Sequence, residues 1–251
     1  MRVVIKVGGS VLGDIDNSPP WMTEIQTFLG EGHQVAIVHG GGPAISRSLK
    51  QANVPVKFHY GQRVTTPEVL QHVLRILRGE MNALLVNRLN AQGIRALGLC
   101  GMDGSFMTAE HLPPKDLGYV GIITHVAEDF LDLLWSRGLL PVIAPLAPTS
   151  DYREILNCNG DGVAEAVASG ISADTLVFYT TSGGLREGPD VQTPVVPRLS
   201  REEIGQWIKS GKATEGMIPK LQAAERALRR GVRQVMIGSF YDRANVTTQI
   251  I

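Results

Sequence analysis

Short apolar runs rich in β-branched residues alternate along this chain with longer segments whose apolar residues recur at helical spacing. Six of these runs have the length and composition of buried strands: residues 3–7, 34–38, 96–99, 140–144, 175–179 and 234–238. Strands that alternate with helices are typical of crossover units, which build a parallel sheet with helices on both faces. We therefore predict an α/β protein with a mainly parallel sheet.

Helical spacing covers seven segments: residues 21–30, 44–52, 66–92, 128–137, 162–169, 201–210 and 218–230. The segment 66–92 is the longest, and its wide apolar face suits either the core or a subunit interface. Two stretches, residues 106–120 and 183–197, contain Pro and Gly and show no clear period. We expect lids, hairpins or active-site loops there.

Length and composition limit the function classes. A chain of 251 residues that is 43% apolar can bury one sizeable core, so we expect a single domain. The 24 Lys and Arg balance the 24 Asp and Glu, so no net charge recruits nucleic acid or an anionic membrane. Two cysteines suit a reducing compartment, and neither a signal peptide nor an apolar run of about 20 residues is evident. We expect a cytoplasmic protein.

Two glycine clusters follow predicted strands directly. In Lys6-Val7-Gly8-Gly9-Ser10 the lysine lies at the end of the first strand and the glycines follow it, and His39-Gly40-Gly41-Gly42-Pro43 follows the second strand. Glycine lets backbone N–H groups approach an anion closely, and ligands of α/β proteins bind at the carboxyl edge of the sheet. Neither cluster matches the Walker or dinucleotide-binding pattern, and each alone also suits an ordinary strand-to-helix turn. Together they favour a phosphate site.

Three further motifs carry polar groups whose roles the residues alone leave open. Arg63 lies in a predicted loop, where its guanidinium suits a carboxylate, although a solvated surface arginine fits equally. Asn159 and Asp161 precede a helix, and either one could be its N-cap. Lys220 lies in the first turn of another helix, whose positive end favours phosphate, although a solvated lysine is the simpler reading.

The motifs KVGGS, HGGGP, GQRVT, GLCGMDG, GYVG, NCNGD and GMIPK occur here in the order of the amino-acid kinase family. The chain resembles this family, and within it the acetylglutamate kinases, along essentially its whole length. The resemblance implies a three-layer α/β/α sandwich around a mainly parallel open sheet. It also implies a substrate-binding and dimerisation lobe (1–172), a nucleotide-binding lobe (173–251), and a homodimer built on the helix that begins near Pro67.

The activity implied by the resemblance is ATP-dependent phosphorylation of the side-chain carboxylate of N-acetyl-L-glutamate in arginine biosynthesis, with Mg²⁺ bound through the nucleotide phosphates. The catalytic residues so implied are Lys6 and Lys220, which stabilise the transferring phosphoryl group, and Asp161, which positions them. The implied substrate-binding residues are Gly40, Gly41, Arg63, Asn157 and Asn159. The implied nucleotide-binding residues are Gly8, Gly9, Thr180, Thr181, Gly183, Gly184, Leu185, Lys212, Ala213 and Thr214.

The chain departs from the family pattern at Thr181, where the family usually has an aspartate. Two other readings compete with the first. One is a kinase for acetylaminoadipate or for a carrier-protein-linked amino acid, and Arg63 argues against it because it suits a free α-carboxylate. The other is a catalytically weakened ligand-sensing member, which would not need both Lys6 and Lys220.

Regulation and the remaining reactive side chains lead to simpler expectations. Arginine-inhibited relatives carry an additional helix ahead of the first strand, and here the strand begins at Arg2 or Val3. The resemblance therefore implies a dimer that arginine does not inhibit. Cys100 and Cys158 lack metal-ligand spacing, so we predict no metal site in the protein itself and a packing role for both thiols. His39 is predicted to be structural.

Overall fold

The computed structural model describes residues 1–9, 20–59, 61–180, 183–187, 192–213, 216–238 and 247–251. Ser10 of the first glycine cluster and the predicted nucleotide-binding residues Thr181 and Thr214 lie outside the described residues.

The described strands are β1 (Arg2–Val7), β2 (Gln34–His39), β3 (Phe58–His59), β4 (Gln62–Arg63), β5 (Ala96–Leu99), β6 (Met107–His111), β7 (Val120–Val126), β8 (Leu140–Ile143), β9 (Leu146–Pro148), β10 (Ile155–Cys158), β11 (Thr175–Tyr179), β12 (Arg198–Leu199), β13 (Gln234–Ile237) and β14 (Thr248–Ile250). The described α-helices are α1 (Pro20–Gly30), α2 (Gly42–Gln51), α3 (Pro67–Leu74), α4 (Asn82–Ala91), α5 (Glu128–Ser136), α6 (Gly160–Gly170), α7 (Arg201–Lys209) and α8 (Ile218–Arg229).

An eight-stranded sheet in the order β12-β14-β13-β11-β1-β2-β8-β5 forms the centre of the fold. Its pairings are parallel except that β13 and β14 are antiparallel. All six strands predicted from the sequence lie in this sheet, within one residue of the predicted bounds. The prediction of a mainly parallel α/β fold is therefore confirmed.

Two apolar cores cover the two faces of the sheet. Val3, Ile5 and Val7 of β1 pack in one core with side chains from α1 to α4. Val4 packs in the other core with side chains from α5 to α8. Successive residues of a strand point to opposite faces, so this alternation is what separates the two helical layers. The result is a three-layer α/β/α arrangement.

A second sheet of four strands, in the order β6-β7-β10-β9, packs beside α6. Its first strand, β6, falls inside the stretch 106–120 that showed no period, and it pairs with β7 as an antiparallel hairpin. Of the three expectations for this stretch, the hairpin is therefore the one found. The strands β9 and β10, which have three and four residues, were not predicted.

The long helix predicted at residues 66–92 is three consecutive segments in the structure. It begins at Pro67 after the N-cap Thr66, whose hydroxyl accepts a hydrogen bond from Val69 N–H at 3.3 Å. Between α3 and α4 the chain forms a π-helical turn, Arg75–Met81. Such turns are rare and occur often at functional sites. A hydrophobic pattern of period 3.6 does not reveal one.

None of the described helices is long and apolar enough to cross a bilayer.

Candidate active site

Two lysines that are far apart in the sequence share one buried carboxylate. Lys6 Nζ lies 2.7 Å from Asp161 Oδ1, and Lys220 Nζ lies 3.2 Å from Asp161 Oδ2. The side chains of Lys6, Asp161 and Lys220 are only 9, 7 and 16% exposed. Two ammonium groups and one carboxylate leave a net charge of +1 in a largely desolvated site. An anionic ligand would offset this charge.

The sheet explains why Lys6 faces this cluster. It is the second-last residue of β1, and its neighbours Ile5 and Val7 face the layer of α1 to α4. The alternation along the strand therefore turns Lys6 towards α6, at the carboxyl edge of the sheet. Ligands of open α/β sheets bind outside this edge.

The first turn of α6 supplies the carboxylate. Asn159 is the N-cap of this helix, and its Oδ1 accepts hydrogen bonds from the N–H groups of Asp161 and Gly162 at 2.9 and 3.3 Å. The question of which residue caps the helix is thereby settled, because Asp161 is held by the lysines instead. A β carbon on Gly160 would lie 3.4 Å from Lys6 Cε, so β1 and the helix start are in close contact.

Charge and burial act in opposite directions on these groups. Burial raises the pKa of Asp161, but the ammonium groups of Lys6 and Lys220 outweigh it and hold this pKa below its ordinary value. Burial lowers the pKa of Lys220, repulsion by Lys6 adds to this, and attraction by Asp161 opposes it. The carboxylate is therefore ionised at neutral pH, and Lys220 releases its proton more readily than a surface lysine.

The two glycine clusters meet backbone to backbone. Gly40 N–H donates to the carbonyl of Val7 at 2.9 Å, at the point where both strands end. A β carbon on Gly40 would lie 2.9 Å from the nitrogen of Gly9, and one on Gly9 would lie 3.0 Å from the nitrogen of Gly41. Such contacts leave no room for a side chain. A β carbon on Gly40 would also lie 3.6 Å from the carbonyl carbon of Gly8, so all four predicted glycines share one location.

Arg63 is buried and only partly paired. Its Nη2 donates to the carbonyl of Gly42 at 3.2 Å and to Ser46 Oγ at 2.8 Å, and Phe58 lies over the guanidinium at 4.8 Å. Burial lowers the pKa of Arg63. Its Nη1 is buried and has no hydrogen-bond partner among the described residues. A buried, unsatisfied donor of this kind costs about 1–3 kcal/mol, which an anionic ligand would offset.

Thr65 connects Arg63 to the predicted substrate residue Asn157. The Thr65 hydroxyl donates to the carbonyl of Arg63 at 2.8 Å and accepts from Asn157 Nδ2 at 3.1 Å. Thr65 is fully buried. Its role was not predicted, although it is the last residue of the GQRVT motif that contains Arg63.

Four of the predicted nucleotide residues after β11 are described: Thr180, Gly183, Gly184 and Leu185. Thr180 Oγ1 donates to the carbonyl of Gly183 at 2.5 Å, and Leu185 N–H donates to Thr248 Oγ1 at 2.8 Å. A β carbon on Gly184 would lie 2.5 Å from Thr248 Oγ1, so that position also requires glycine. Thr248 was missed, because it is 63 residues from Leu185 and only β14 brings it there.

Two of the predicted nucleotide residues after α7, Lys212 and Ala213, are described, and Lys212 is exposed. Lys212 Nζ pairs with Glu187 at 2.9 Å and lies 5.0 Å from the centre of the Trp207 ring. Ala213 packs partly buried against the core. Both residues follow the turn that ends α7, and their contacts with a nucleotide remain a prediction.

A cavity of about 250 Å³ adjoins the start of α6. It is close to the lower end of the ~300–1,000 Å³ that is typical of small-molecule sites. Its lining combines apolar side chains from β7 with amide groups and includes Gln62, Ile122, Ile123, Asn159, Val163 and Gln222. A small ligand therefore has room beside the predicted substrate residue Asn159.

Residues 1–239 match the model of the amino acid kinase family, and the chain belongs to this family. Several curated relatives that it matches carry the name acetylglutamate kinase. The relative from Geobacillus thermodenitrificans (strain NG80-2) is 40% identical over 245 residues, which cover 96% of this chain and 92% of the relative. That from Bacillus subtilis (strain 168) is 39% identical over 246 residues, covering 95% and 92%.

Solved structures share the fold. The crystal structure of smu.665 from Streptococcus mutans UA159 has a TM-score of 0.88 at 29% identity and covers 99% of this chain and 98% of that one. The structure of Giardia carbamate kinase has a TM-score of 0.71 at 15% identity, covering 100% and 98%. At that identity the second likeness concerns the fold alone.

Proposed function

We propose that this protein transfers the γ-phosphoryl group of ATP to the side-chain carboxylate of N-acetyl-L-glutamate, as a step of arginine biosynthesis. The observation that carries the proposal is the buried cluster of Lys6, Asp161 and Lys220, whose net positive charge lies beside the two glycine turns. The acceptor is taken from the name shared by the curated relatives. The products are ADP and an acyl phosphate.

The chemistry of the acceptor suits the residues of the cluster. A side-chain carboxylate with an ordinary pKa of about 4.3 is already an ionised nucleophile at neutral pH, so no general base is required. The obstacle is repulsion between the carboxylate and the ATP phosphates. Lys6 and Lys220 offset this repulsion, and because an ammonium is a point charge it can follow the moving phosphoryl group. Asp161 holds the two ammonium groups side by side.

Backbone donors and a divalent cation complete the proposed phosphate site. Gly8 and Gly9 would donate N–H groups to the ATP phosphates, and Gly40 and Gly41 would face the acceptor and the group in transfer. No group of three or more His, Cys, Asp or Glu that could hold a metal is found in the described residues. Mg²⁺ would be bound through the nucleotide phosphates, where it neutralises charge.

For the acceptor, we propose that Arg63 binds the α-carboxylate through its unpaired Nη1. Asn157 and Asn159 would hold the rest of the acyl amino acid. An acceptor linked to a carrier through its α-carboxyl group would leave that guanidinium nitrogen unsatisfied. The contact therefore favours an acceptor with a free α-carboxylate, such as acetylglutamate.

For the nucleotide, we propose contacts along residues 180–185 and 212–214. The corresponding division into a substrate lobe (1–172) and a nucleotide lobe (173–251) is part of the same proposal. It is supported by the position of the Gly183–Leu185 turn at the end of β11, the strand next to β1.

We further propose a homodimer formed through the helix that begins at Pro67. Leu84 of α4 is 51% exposed, as expected for an apolar residue that a second subunit covers. The cytoplasmic location and the insensitivity of the dimer to arginine remain predictions. Sedimentation would detect a dimer, and a hexamer in solution would contradict the proposal.

A coupled assay of ADP release tests the activity directly. With ATP and Mg²⁺, acetylglutamate should support turnover, and acetylaminoadipate should support much less. Lys220→Ala should lower kcat by about 100-fold or more while the KM values change little, since its charge acts on the transition state. Lys209→Ala, on the surface of α7, is the matched control. Equal kcat with a raised KM in Lys220→Ala would contradict the assigned role.

The acceptor contact needs a separate variant. Arg63→Met should raise the KM for acetylglutamate by about 10- to 100-fold, because a hydrogen bond between charged groups contributes about 1.5–3 kcal/mol. The KM for ATP should stay unchanged. If Arg63→Met instead accepted acetylaminoadipate and acetylglutamate with unchanged KM values, the assignment of the α-carboxylate would be wrong.

A further inference from the structure

His39 is fully buried at the end of β2, and both of its ring nitrogens are engaged. Nδ1 lies 3.0 Å from the carbonyl oxygen of Gly40, so Nδ1 carries the proton and donates it. Nε2 lies 3.1 Å from Asn82 Nδ2 and accepts. The Asn82 amide also donates to the carbonyl of Val142 at 2.9 Å. If the amide were turned over, its oxygen would face that carbonyl, so its orientation is determined.

A charged residue holds the other end of the Asn82 amide. Asn82 Oδ1 accepts from Arg78 at 3.1 Å, and Arg78 pairs with Asp103 at 3.3 Å. Asp103 in turn accepts from Cys100 N–H at 2.7 Å, just beyond β5. A chain of hydrogen bonds therefore runs from the surface of the π-helical turn to the backbone of the second glycine cluster.

This chain determines the direction of one peptide group. In a trans peptide the C=O and N–H point in opposite directions, so holding the Gly40 carbonyl to the buried ring turns the Gly41 N–H away from it. The Gly41 nitrogen then lies close to Gly9, since a β carbon added to Gly9 would be 3.0 Å from it. On the opposite side, Leu77 of the π-helical turn occupies the space that a Gly41 side chain would need, at 2.6 Å from its β carbon.

The surroundings leave room for the Asn82 amide and for little else. A β carbon on Gly98 would lie 2.1 Å from Asn82 Oδ1, so that strand position requires glycine. Asn82 is the first residue of α4, directly after the π-helical turn. Leu77 in this turn lies against Gly41, and Asn82 directly after it lies against His39, so both meet the second glycine cluster.

We propose that His39 and Asn82, supported by Arg78, are positioning residues that aim the Gly41 N–H at the transferring phosphoryl group. The inference rests on the proposed function, because it assigns the network to that reaction. Removing a donor aimed at a developing anionic charge typically lowers kcat by about 10²–10³-fold. A donor that points away from this charge should therefore also lower kcat. Burial lowers the pKa of His39 to about 4, which keeps the ring neutral and the two nitrogens distinct at neutral pH.

Two substitutions at position 39 separate positioning from packing. In His39→Asn, the amide nitrogen takes the place of Nδ1 and can still donate to the Gly40 carbonyl. In His39→Gln, the amide takes the place of Nε2 and can contact Asn82 only. We expect kcat within about 3-fold of the parent for His39→Asn and a fall of about 10- to 100-fold for His39→Gln, with KM values within about 3-fold in both. A fall in kcat that instead tracked thermal stability in both variants would overturn the proposal.

Arg78→Met tests the outer part of the network without altering a buried residue. Arg78 is partly exposed, so this variant should fold, and we expect kcat to fall by about 3- to 10-fold with unchanged KM values. Ser48→Ala is the matched control, because it removes a hydrogen bond of similar kind between α2 and α3, from Ser48 to His72 at 2.8 Å. The control should keep its kcat. Equal kcat values in Arg78→Met and Ser48→Ala would remove Arg78 from the proposal.

The histidine tautomer gives a measurement that does not depend on activity. In the ¹⁵N spectrum of the histidine rings, His39 should show a proton on Nδ1 and none on Nε2. A proton on Nε2 would overturn the proposal whatever the substrate. Wild-type protein that released no ADP with any acyl amino acid, but showed the Nδ1 tautomer, would instead contradict the proposed function.

Discussion

Glu165 forms an ion pair with Arg226 at 3.2 Å. Glu165 lies one helical turn beyond Asp161, and Arg226 lies on the same helix as Lys220. Arg230 pairs with the other carboxylate oxygen of Glu165 at 3.1 Å. Glu165 is buried, whereas both arginine side chains are about half exposed. A second set of charges therefore connects α6 to α8 and helps to maintain the distance at which Lys220 meets Asp161.

Replacing Glu165 should affect stability and turnover together. Glu165→Gln should lower the free energy of unfolding by about 1–3 kcal/mol, because it removes two charged hydrogen bonds while the arginines stay in reach of water. The measurement is urea denaturation, with kcat recorded on the same samples. Arg229→Gln is the matched control, since it breaks the surface pair with Glu225 and should cost less than about 1 kcal/mol. Equal losses in the two variants would show that Glu165 has no special role.

The carboxylate of Asp161 should determine how the site responds to alkaline pH. Attraction by Asp161 raises the pKa of Lys220 against burial and the charge of Lys6. Asp161→Asn removes this attraction, so the Lys220 pKa should fall further and kcat should decline at a lower pH than in the wild type. The check is the dependence of kcat on pH between about 7 and 10, with Asp132→Asn on α5 as control. An alkaline limb that did not move would contradict the coupling.

The contact between the glycine clusters predicts different outcomes for two glycines of the second cluster. A β carbon on Gly40 would lie 2.9 Å from the backbone nitrogen of Gly9, which cannot move without displacing β1. Gly40→Ala should therefore destabilise the protein by about 2 kcal/mol or more. Gly42→Ala is the matched control, because no atom lies within 4 Å of its added carbon. Its free energy of unfolding should lie within about 1 kcal/mol of that of the parent. A Gly40→Ala variant as stable as this control would disprove the contact.

Buried His39 should make stability depend on pH in mildly acidic solution. Burial lowers its pKa from 6.5 to about 4, repulsion by Arg78 adds to this, and the Gly40 carbonyl opposes it. Below about pH 6.5 the unfolded chain binds a proton that the folded chain does not, so the free energy of unfolding falls as the pH drops towards 4. The full loss is on the order of 3 kcal/mol.

Denaturation curves at several pH values between 7 and 4.5 would measure this loss. His39→Gln should show a flatter dependence over this interval, since an amide does not titrate. Asp161 does not interfere in this window, because its pKa lies below its ordinary 3.8 and its contribution is lost at lower pH. The same slope in His39→Gln and in the wild type would assign the effect to other groups.

Much of the fold could be predicted because the signals are local. The six strands of the central sheet are short, buried and β-branched, and the spacing of apolar residues marked the main helices. The helix start at Pro67 follows from the fixed φ of proline and from the preceding threonine cap. The strands β3, β4, β6, β7, β9, β10, β12 and β14 were not predicted as strands. Six of them have only two to four residues, and β6 and β7 lie in or next to the stretch 106–120, which shows no clear period.

The candidate site was predictable only in part. The glycine clusters could be predicted from the sequence, because glycines directly after two strands together indicate close approach of the backbone to a ligand or to another segment. Thr65, Thr248 and Asn82 carried no such signal, because threonine and asparagine are common in many environments. Their importance comes from partners 92, 63 and 43 residues away in the sequence.

The sequence by itself determined the alternation of strands and helices, the two glycine turns at strand ends, a lysine at the end of the first strand, and an aspartate and a second lysine near helix starts. Only the tertiary structure decided that Asp161 pairs with both lysines while Asn159 caps the helix, and that His39 reaches Asn82. The physical reason is that hydrophobic period and turn chemistry act between neighbours in the chain, whereas ion pairs and buried hydrogen bonds depend on which elements the sheet order brings together.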